Sequence, residues 1–429
     1  MIGRRIQQKI YLEGLLGKKP VIPTRPDALE RAARRRMSRR AWAYVAGGAG
    51  LERTMARNRA AFDRYALRPR MLRGAGPPSL EAGLFGRRWA APLFLCPIGV
   101  LELAHPDADL AVARAAAGRG VPVIFSNQSS RPIEAAAGVM DAVDPDTPRF
   151  FQLYHPTERR VVESFLRRAE SAGCAGVVLT VDTVQLGWRP RDLDLGHLPF
   201  LEGRGLAQYV TDPEFMGSLE DYPEGPSPRI RPSPSLLKTM LALRRLGGGS
   251  LGRGRRAVQS FVATYSFPEL SWDDVRRVRE ATALPLLLKG ILHPEDAARA
   301  VELGVDGIVV SNHGGRQVDG AISSLEALPQ VARAVGGRVP VLMDGGVRTG
   351  ADVVKALALG ARAVGIGRPY VYGLALAGAE GVGAVIDHMM AELELTLALS
   401  GVAGLEEVDP DILLEERTGQ ETMEGMDGR

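Results

Sequence analysis

From residue 90 onward the chain alternates two patterns. Apolar runs of five to eight residues end in small or polar residues: "PLFLCPIG" (92–99), "PVIFS" (122–126), "FFQLY" (150–154), "GVVLTVD" (176–182), "PLLLKG" (285–290), "GIVVSN" (307–312), "PVLMDGG" (340–346) and "AVGIGR" (363–368). Between them lie alanine-rich amphipathic segments such as "DADLAVARAAAGRG", "RRVVESFLRRAESAG", "PEDAARAVELG" and "GADVVKALALG", each closed by a glycine where a helix C-cap uses one. Strands alternating with helices predict parallel pairing through right-handed crossovers. Eight such units close most simply into a (β/α)8 TIM barrel. An open doubly wound sheet is the alternative, and it is disfavoured because no GxGxxG opens a helix after the first strand.

The chain therefore reads as a single domain with its barrel over 90–405 and three additions. Residues 1–85, including "ALERAARRRMSRRAWAYVAGG", form an N-terminal helical cover. Residues 190–268 are a long Pro- and Gly-rich lid insertion after strand four, and 408–429 are expected to be a flexible acidic tail.

Composition narrows the function without choosing it. With 45% hydrophobic and 24% charged residues the chain is an ordinary globular protein. Its basic balance, +4 at pH 7, comes from arginine, since lysine occurs only at 9, 18, 19, 238, 289 and 355, and acids are interspersed almost throughout. Nucleic acid is not an expected partner, because no face gathers the charge. Cys96 and Cys174 sit in apolar runs, which suits free buried thiols and a cytoplasmic location. The opening "MIGRRIQQKIYLEGLLGKK" lacks the apolar core of a leader, and no window is expected to reach the roughly 18 apolar residues of a membrane span.

In such a barrel chemistry sits at the C-terminal ends of the strands. Strand by strand these ends deliver Gly99; Ser126; Gln152 and Tyr154; Thr180 and Asp182; Lys289; Ser311 and His313; Asp344; and Gly367 with Arg368. After strands seven and eight, Asp344, Gly345, Gly346, Arg348, Gly367 and Arg368 combine close backbone approach with guanidinium forks, so a phosphorylated cofactor or substrate is implied. Lys289 is either a Schiff-base amine or a point charge facing a developing anion. His313 stands beside glycines, with Asp182 across the mouth to orient it and Arg316 three residues on to grip a carboxylate. A base and an anion clamp on one loop suit a small acid that must lose a proton. No His, Asp and Cys spacing suggests a metal.

"SNHGGRQ" resembles the active-site signature of the FMN-dependent α-hydroxy-acid oxidases and dehydrogenases, and "FFQLY", "LTVD", "LLLKG", "DGGVRTG", "KALALGA" and "IGRP" resemble that family's other blocks in the same order, over residues 40–405. The resemblance implies FMN as cofactor, with Gly99, Ser126, Gln152, Thr180, Lys289 and Ser311 along its ring and Asp344, Gly345, Gly346, Arg348, Gly367 and Arg368 at its ribityl and phosphate end. It implies Tyr44, Arg189 and Arg316 at the substrate carboxylate, Tyr154 facing the substrate, and His313 with Asp182 as base and partner. The implied reaction is oxidation of an L-2-hydroxy acid, with oxygen as a second substrate and a homotetramer or larger homo-oligomer as the assembly.

Within the family, "YVAGGAGLERT", "GWRPRDLD" and "GIGRPYVYGLA" most resemble the lactate 2-monooxygenases; glycine at position 99, whose missing Cβ is expected to leave room beside the flavin, resembles both these and the mandelate dehydrogenases. Two features depart from the common pattern. Gln128 stands where many relatives carry an aromatic or another residue, and 225–268 contains no acidic residue while carrying Arg229, Arg231, Lys238, Arg244, Arg245, Arg253, Arg255 and Arg256. That basic stretch motivates an alternative, a membrane-associated quinone-linked dehydrogenase. A binding protein on a dead barrel is the third reading, and it conflicts with the presence of His313, Arg316 and Lys289.

Overall fold

Eight parallel strands, β1 (Leu93–Leu95), β2 (Val123–Ser126), β3 (Arg149–Leu153), β4 (Gly176–Thr180), β5 (Leu286–Ile291), β6 (Gly307–Val310), β7 (Val341–Asp344) and β8 (Ala363–Ile366), pair in sequence order and close into a barrel. The computed structural model describes residues 1–219 and 234–416, so Arg229 and Arg231 lie outside it. Every strand predicted from the apolar runs is present.

The strands read as unbroken apolar runs because both of their faces are buried. Alternate residues separate cleanly. Phe94, Ile124, Phe150, Val178, Leu287, Val309, Leu342 and Ala363 fill the barrel interior, while their neighbours, among them Leu95, Phe151, Leu179, Leu288, Val310 and Met343, pack outward against the helices. The interior is stoppered at the N-terminal end of the strands by a hairpin of Ala82–Leu84 and Arg87–Trp89, which the helical cover expected for 1–85 did not include. Its turn residues Phe85 and Gly86 have φ of 52° and 67°, and Leu84, Phe85 and Trp89 join the interior cluster.

Most outer helices begin and end where local chemistry dictates. Ser271, Ser323 and Thr349 cap their helices reciprocally with Asp274, Glu326 and Asp352. Gly120, Gly173, Gly304 and Gly360, just beyond helix ends, have φ between 61° and 108°.

Two expectations need correction. The helix Arg368–Leu399, bent at Ala377 and Gly378, reaches a mean hydropathy of 1.3 over an 18-residue window, but 72% of that window is buried in the fold, as in a core helix. The acidic tail is not loose throughout: Leu413–Glu415 pairs antiparallel with Tyr65–Leu67, and only 417–429 fall outside the described residues. The insertion folds as short helical turns followed by the helices Pro234–Leu246 and Leu251–Thr264, and then returns to the barrel through Trp272–Glu280.

Candidate active site

The C-terminal ends of the strands surround a cleft of about 1030 Å³, part of it open to solvent. Thirteen of the candidate catalytic, substrate and cofactor residues line it: Tyr44, Gly99, Tyr154, Arg189, Lys289, His313, Arg316, Asp344, Gly345, Gly346, Arg348, Gly367 and Arg368. Ser126, Gln152, Thr180, Asp182 and Ser311 lie next to that lining: Ser126 donates to Gln152, Asp182 holds His313 and Ser311 accepts from Lys289. Of the six histidines only His313 lines the cleft.

His313 is held from three sides. Its backbone has φ 57°, followed by Gly314 at 62° and Gly315 at 76°, so the chain turns sharply off β6 and swings the imidazole over the mouth. Asn312 locks that turn, exchanging two 2.8 Å amide bonds with Asn58 and accepting from the Gly315 N–H at 3.2 Å. The ring Nδ1 lies 2.8 Å from Asp182 Oδ1, leaving Nε2 toward the cleft, 3.3 Å from the Tyr154 hydroxyl. Burial lowers the His313 pKa against the opposing pull of Asp182, so the base is neutral when it meets substrate. Asp182 stays ionised: burial opposes its charge, but His313 and Lys289 bring it down to about 2. Tyr154 is held as a neutral phenol by burial and by Asp182.

Lys289 owes its position to an irregularity. The β5–β6 register shifts between Lys289 and Ile291, and Gly290, at φ 110°, leaves space that a Cβ would need to take from Asp182. The ammonium then donates to Ser311 Oγ at 2.9 Å and lies 3.4 Å from Asp344 Oδ2. Burial works against its charge, yet Asp344 and Asp182 raise its pKa above the usual lysine value. It is therefore a fixed cation, which favours the point-charge role over a Schiff-base amine.

Arg189, Arg316, Arg348 and Arg368 line the cleft, and among the described residues no carboxylate hydrogen bond reaches any of their guanidinium groups. Arg316 donates to the carbonyls of Tyr44 and Gly47 at 2.6 and 2.7 Å and lies over the Tyr44 ring. Burial, with Arg189 and Arg368 nearby, lowers it to about 9, the signature of a guanidinium lacking its counter-ion. Arg368 donates to Val45, Gly47 and Gly314 carbonyls, which tie the loops of the mouth together. Two anion sites result, one beside His313 and one beyond β7 and β8, where Gly346 has φ 83° and no room for a Cβ against the Asn58 backbone.

The structure also supplies what the sequence reading missed. Thr183 donates to Asp182 Oδ1 at 2.8 Å and lies 3.1 Å from His313 Nδ1, touching both members of the pair. Phe200 and Tyr265, from the two ends of the insertion, form part of the cleft wall with Leu186 and Gln128, so the insertion builds the site as well as covering it. Neither aromatic belongs to a periodic pattern. Gly99 does line the cleft, but the direction of its missing Cβ is already occupied: a methyl there would lie 2.9 Å from Gln128 O and 3.1 Å from Gln128 Cβ. Close chain approach, rather than vacant space beside a ligand, requires that glycine.

Comparison with known proteins points the same way. The sequence model for the FMN-dependent dehydrogenases matches residues 33–415. The chain is 40% identical to an FMN-dependent alpha-hydroxy acid dehydrogenase of Penicillium citrinum, over 95% of this chain and 94% of the relative. It is 40% identical to an L-lactate oxidase of Lysinibacillus sphaericus, over 88% of this chain and 89% of that protein. A crystal structure of a putative lactate oxidase from Pediococcus acidilactici superposes with a TM-score of 0.75 at 32% identity, covering 93% of this chain and 96% of the other.

Proposed function

The chain belongs to the FMN-dependent dehydrogenase family, whose members oxidise α-hydroxy acids, and on that premise we propose that it oxidises a small L-2-hydroxy acid, L-lactate foremost, with oxygen as acceptor. The finer outcome proposed is that of a lactate 2-monooxygenase, which releases acetate and carbon dioxide instead of free pyruvate and hydrogen peroxide. One observation carries the reading: the His313 imidazole, 2.8 Å from the Asp182 carboxylate, faces a cleft in which, among the described residues, the guanidiniums of Arg316 and Arg189 have no carboxylate hydrogen bond.

The residues fit FMN. Among the described residues Gln152 Nε2 and Thr180 Oγ1 are buried without hydrogen-bond partners, as groups awaiting a polar ring edge would be. Arg348 and Arg368 supply the charge a phosphate needs at the other end. A bound FMN would supply the acceptor for the two electrons that leave the substrate α-carbon.

The chain does the rest. Arg316 and Arg189 neutralise the substrate carboxylate and fix which face it presents. His313 Nε2 accepts the proton that oxidation releases, and the imidazolium so formed is stabilised by Asp182 through Nδ1. Tyr154 donates its phenol hydrogen toward the same point, and the Lys289 ammonium holds negative charge developing on the ring side of the cleft. Leu186, Phe200, Tyr265 and Gln128 add bulk to the cleft wall, which favours a short substrate tail.

Two buried free thiols support a reducing, cytoplasmic setting. Exposed Leu51, Trp188 and Val318, on loops bonded to one another at the rim, support a homotetramer or larger assembly. A quinone-linked dehydrogenase is the second reading, favoured by exposed Leu237, Met240 and Leu241 beside Lys238 on the insertion helix Pro234–Leu246. The deciding experiment reduces the holoenzyme anaerobically with L-lactate, mixes it with oxygen in a stopped-flow instrument and quantifies products with and without catalase. Fast reoxidation with acetate as product is expected. Slow reoxidation moves the assignment to the dehydrogenase, and stoichiometric free pyruvate and peroxide move it to the simple oxidase.

A further inference from the structure

The first helix, Ile2–Leu15, has an inner face that the fold accounts for and an outer face that it does not. Inside, Gly3 is buried against Leu395 and Ala391 of the helix Arg368–Leu399, its N–H donates to Glu394 at 2.7 Å, and Ile6 and Ile10 are half-buried. Outside, Tyr11, Leu12, Leu15 and Leu16 are 71%, 64%, 83% and 74% exposed. Their spacing of one, four and five residues puts all four on a single side of the helix, so the exposure forms one patch. Apolar surface gathered in this way marks an interaction site, unlike single exposed leucines scattered over a protein.

Charge selects the occupant. Residues 1–19 contain five cations, Arg4, Arg5, Lys9, Lys18 and Lys19, against a single acid. That acid, Glu13, lies 4.0 Å from Lys9. Arg4 and Arg5 precede the apolar patch by about two turns and Lys18 and Lys19 follow it directly, so the leucines are bracketed by positive charge. A second copy of this face meeting it across a two-fold axis would set these cations against their own kind. A bilayer bearing acidic headgroups satisfies both features at once, with leucine and tyrosine entering the headgroup boundary and the flanking lysines and arginines held at its negative surface.

We propose that the helix Ile2–Leu15, with Leu16 and Lys18–Lys19, is a docking surface for an anionic phospholipid membrane. Attachment here is reversible and salt-sensitive, since one short helix buries too little apolar area to anchor the protein without the charge. It does not depend on which acceptor takes the electrons, and it uses a different part of the chain from the basic insertion.

The test is co-sedimentation of the full-length FMN-loaded enzyme with two kinds of vesicle, phosphatidylcholine alone and phosphatidylcholine containing about a third phosphatidylglycerol, at roughly 0.1 M and 0.5 M salt. Binding to the acidic vesicles at low salt, release at high salt and no binding to the neutral vesicles are expected. Leu12→Glu/Leu15→Glu should weaken that binding by at least about tenfold, and Lys18→Gln/Lys19→Gln by roughly an order of magnitude or more, given about fivefold per cation. Both variants change exposed side chains remote from the cleft, so L-lactate turnover and the circular dichroism spectrum should match wild type. Leu237→Glu/Leu241→Glu, on the insertion helix, should bind within about twofold of wild type. No binding to acidic vesicles, or loss through the insertion variant instead of the first-helix variants, overturns the proposal. A concentration-dependent rise in mass that Leu12→Glu/Leu15→Glu abolishes, without vesicle binding, assigns the face to a second copy and overturns it equally.

Discussion

Gly99→Ala adds one methyl at a place where the structure states the consequence. The new Cβ would lie 2.9 Å from Gln128 O and 3.1 Å from Gln128 Cβ, whereas ordinary contact begins near 3.4 Å, so relief takes about 0.5 Å of movement. The obstructing oxygen is backbone, and it already accepts a 2.9 Å bond from the Val100 N–H, so neither chain yields by a simple rotamer change. Val100 itself sits at φ 56°, a conformation a β-branched residue adopts only when its surroundings impose it. Overpacking of this kind costs about 1–3 kcal/mol, which lowers the melting temperature by a few degrees. Gln128 belongs to the cleft wall, so its displacement loosens the enclosure around the substrate tail instead of crowding it. On the proposed monooxygenase outcome, the keto-acid product should then escape sooner, shifting output from acetate toward free pyruvate and hydrogen peroxide, with FMN content unchanged. Differential scanning calorimetry of the holoenzyme and product analysis under air, with and without catalase, measure the two halves. An unaltered melting temperature refutes the close contact. A lowered melting temperature with an unaltered product ratio refutes the link between this wall and product retention, leaving Gly99 a purely backbone requirement.

Other outcomes follow from the same geometry. His313→Gln should keep FMN bound, because the phosphate site lies elsewhere, while flavin reduction by L-lactate falls at least about a hundredfold; a smaller loss removes the general-base role. Arg316→Met should raise KM and lower kcat together, a loss of about 2–5 kcal/mol in kcat/KM, and steady-state kinetics showing an unchanged KM would place the carboxylate elsewhere. The base must be neutral to accept a proton, and burial lowers the His313 pKa, so kcat/KM should rise with pH through a value below the roughly 6.5 of free histidine and then level off; an acid limb centred above that value contradicts the burial argument.

How much of this was legible in the chain depended on how local the cause was. All eight barrel strands were readable, because a strand buried on both faces needs an unbroken apolar run and a glycine or polar residue where it emerges. The residues on those strand ends were readable for the same reason: once eight units close into a barrel, position along the strand determines which end of the barrel a side chain occupies. His313, Lys289 and the arginines after β7 and β8 were legible on that ground, and the resemblance of "SNHGGRQ" and its companion blocks supplied FMN.

What stayed hidden has distant causes. Thr183 differs from other threonines only in facing His313, 130 residues away in sequence. Phe200 and Tyr265 enter the cleft because the insertion folds back on the mouth, and the hairpin of Ala82–Leu84 and Arg87–Trp89 matters because it fills the one end of the barrel that its own strands leave open. Gly99 looked like space beside a ligand, and only the packed chain shows Gln128 standing there. The sequence by itself therefore determined the barrel, the family and the chemical types at its mouth, since periodicity and strand-end position are properties of neighbouring residues. Tertiary structure alone decided which backbone fills which gap, which insertion residues complete the wall, and that the first helix keeps its leucines outward, because those depend on contacts between segments far apart in the chain.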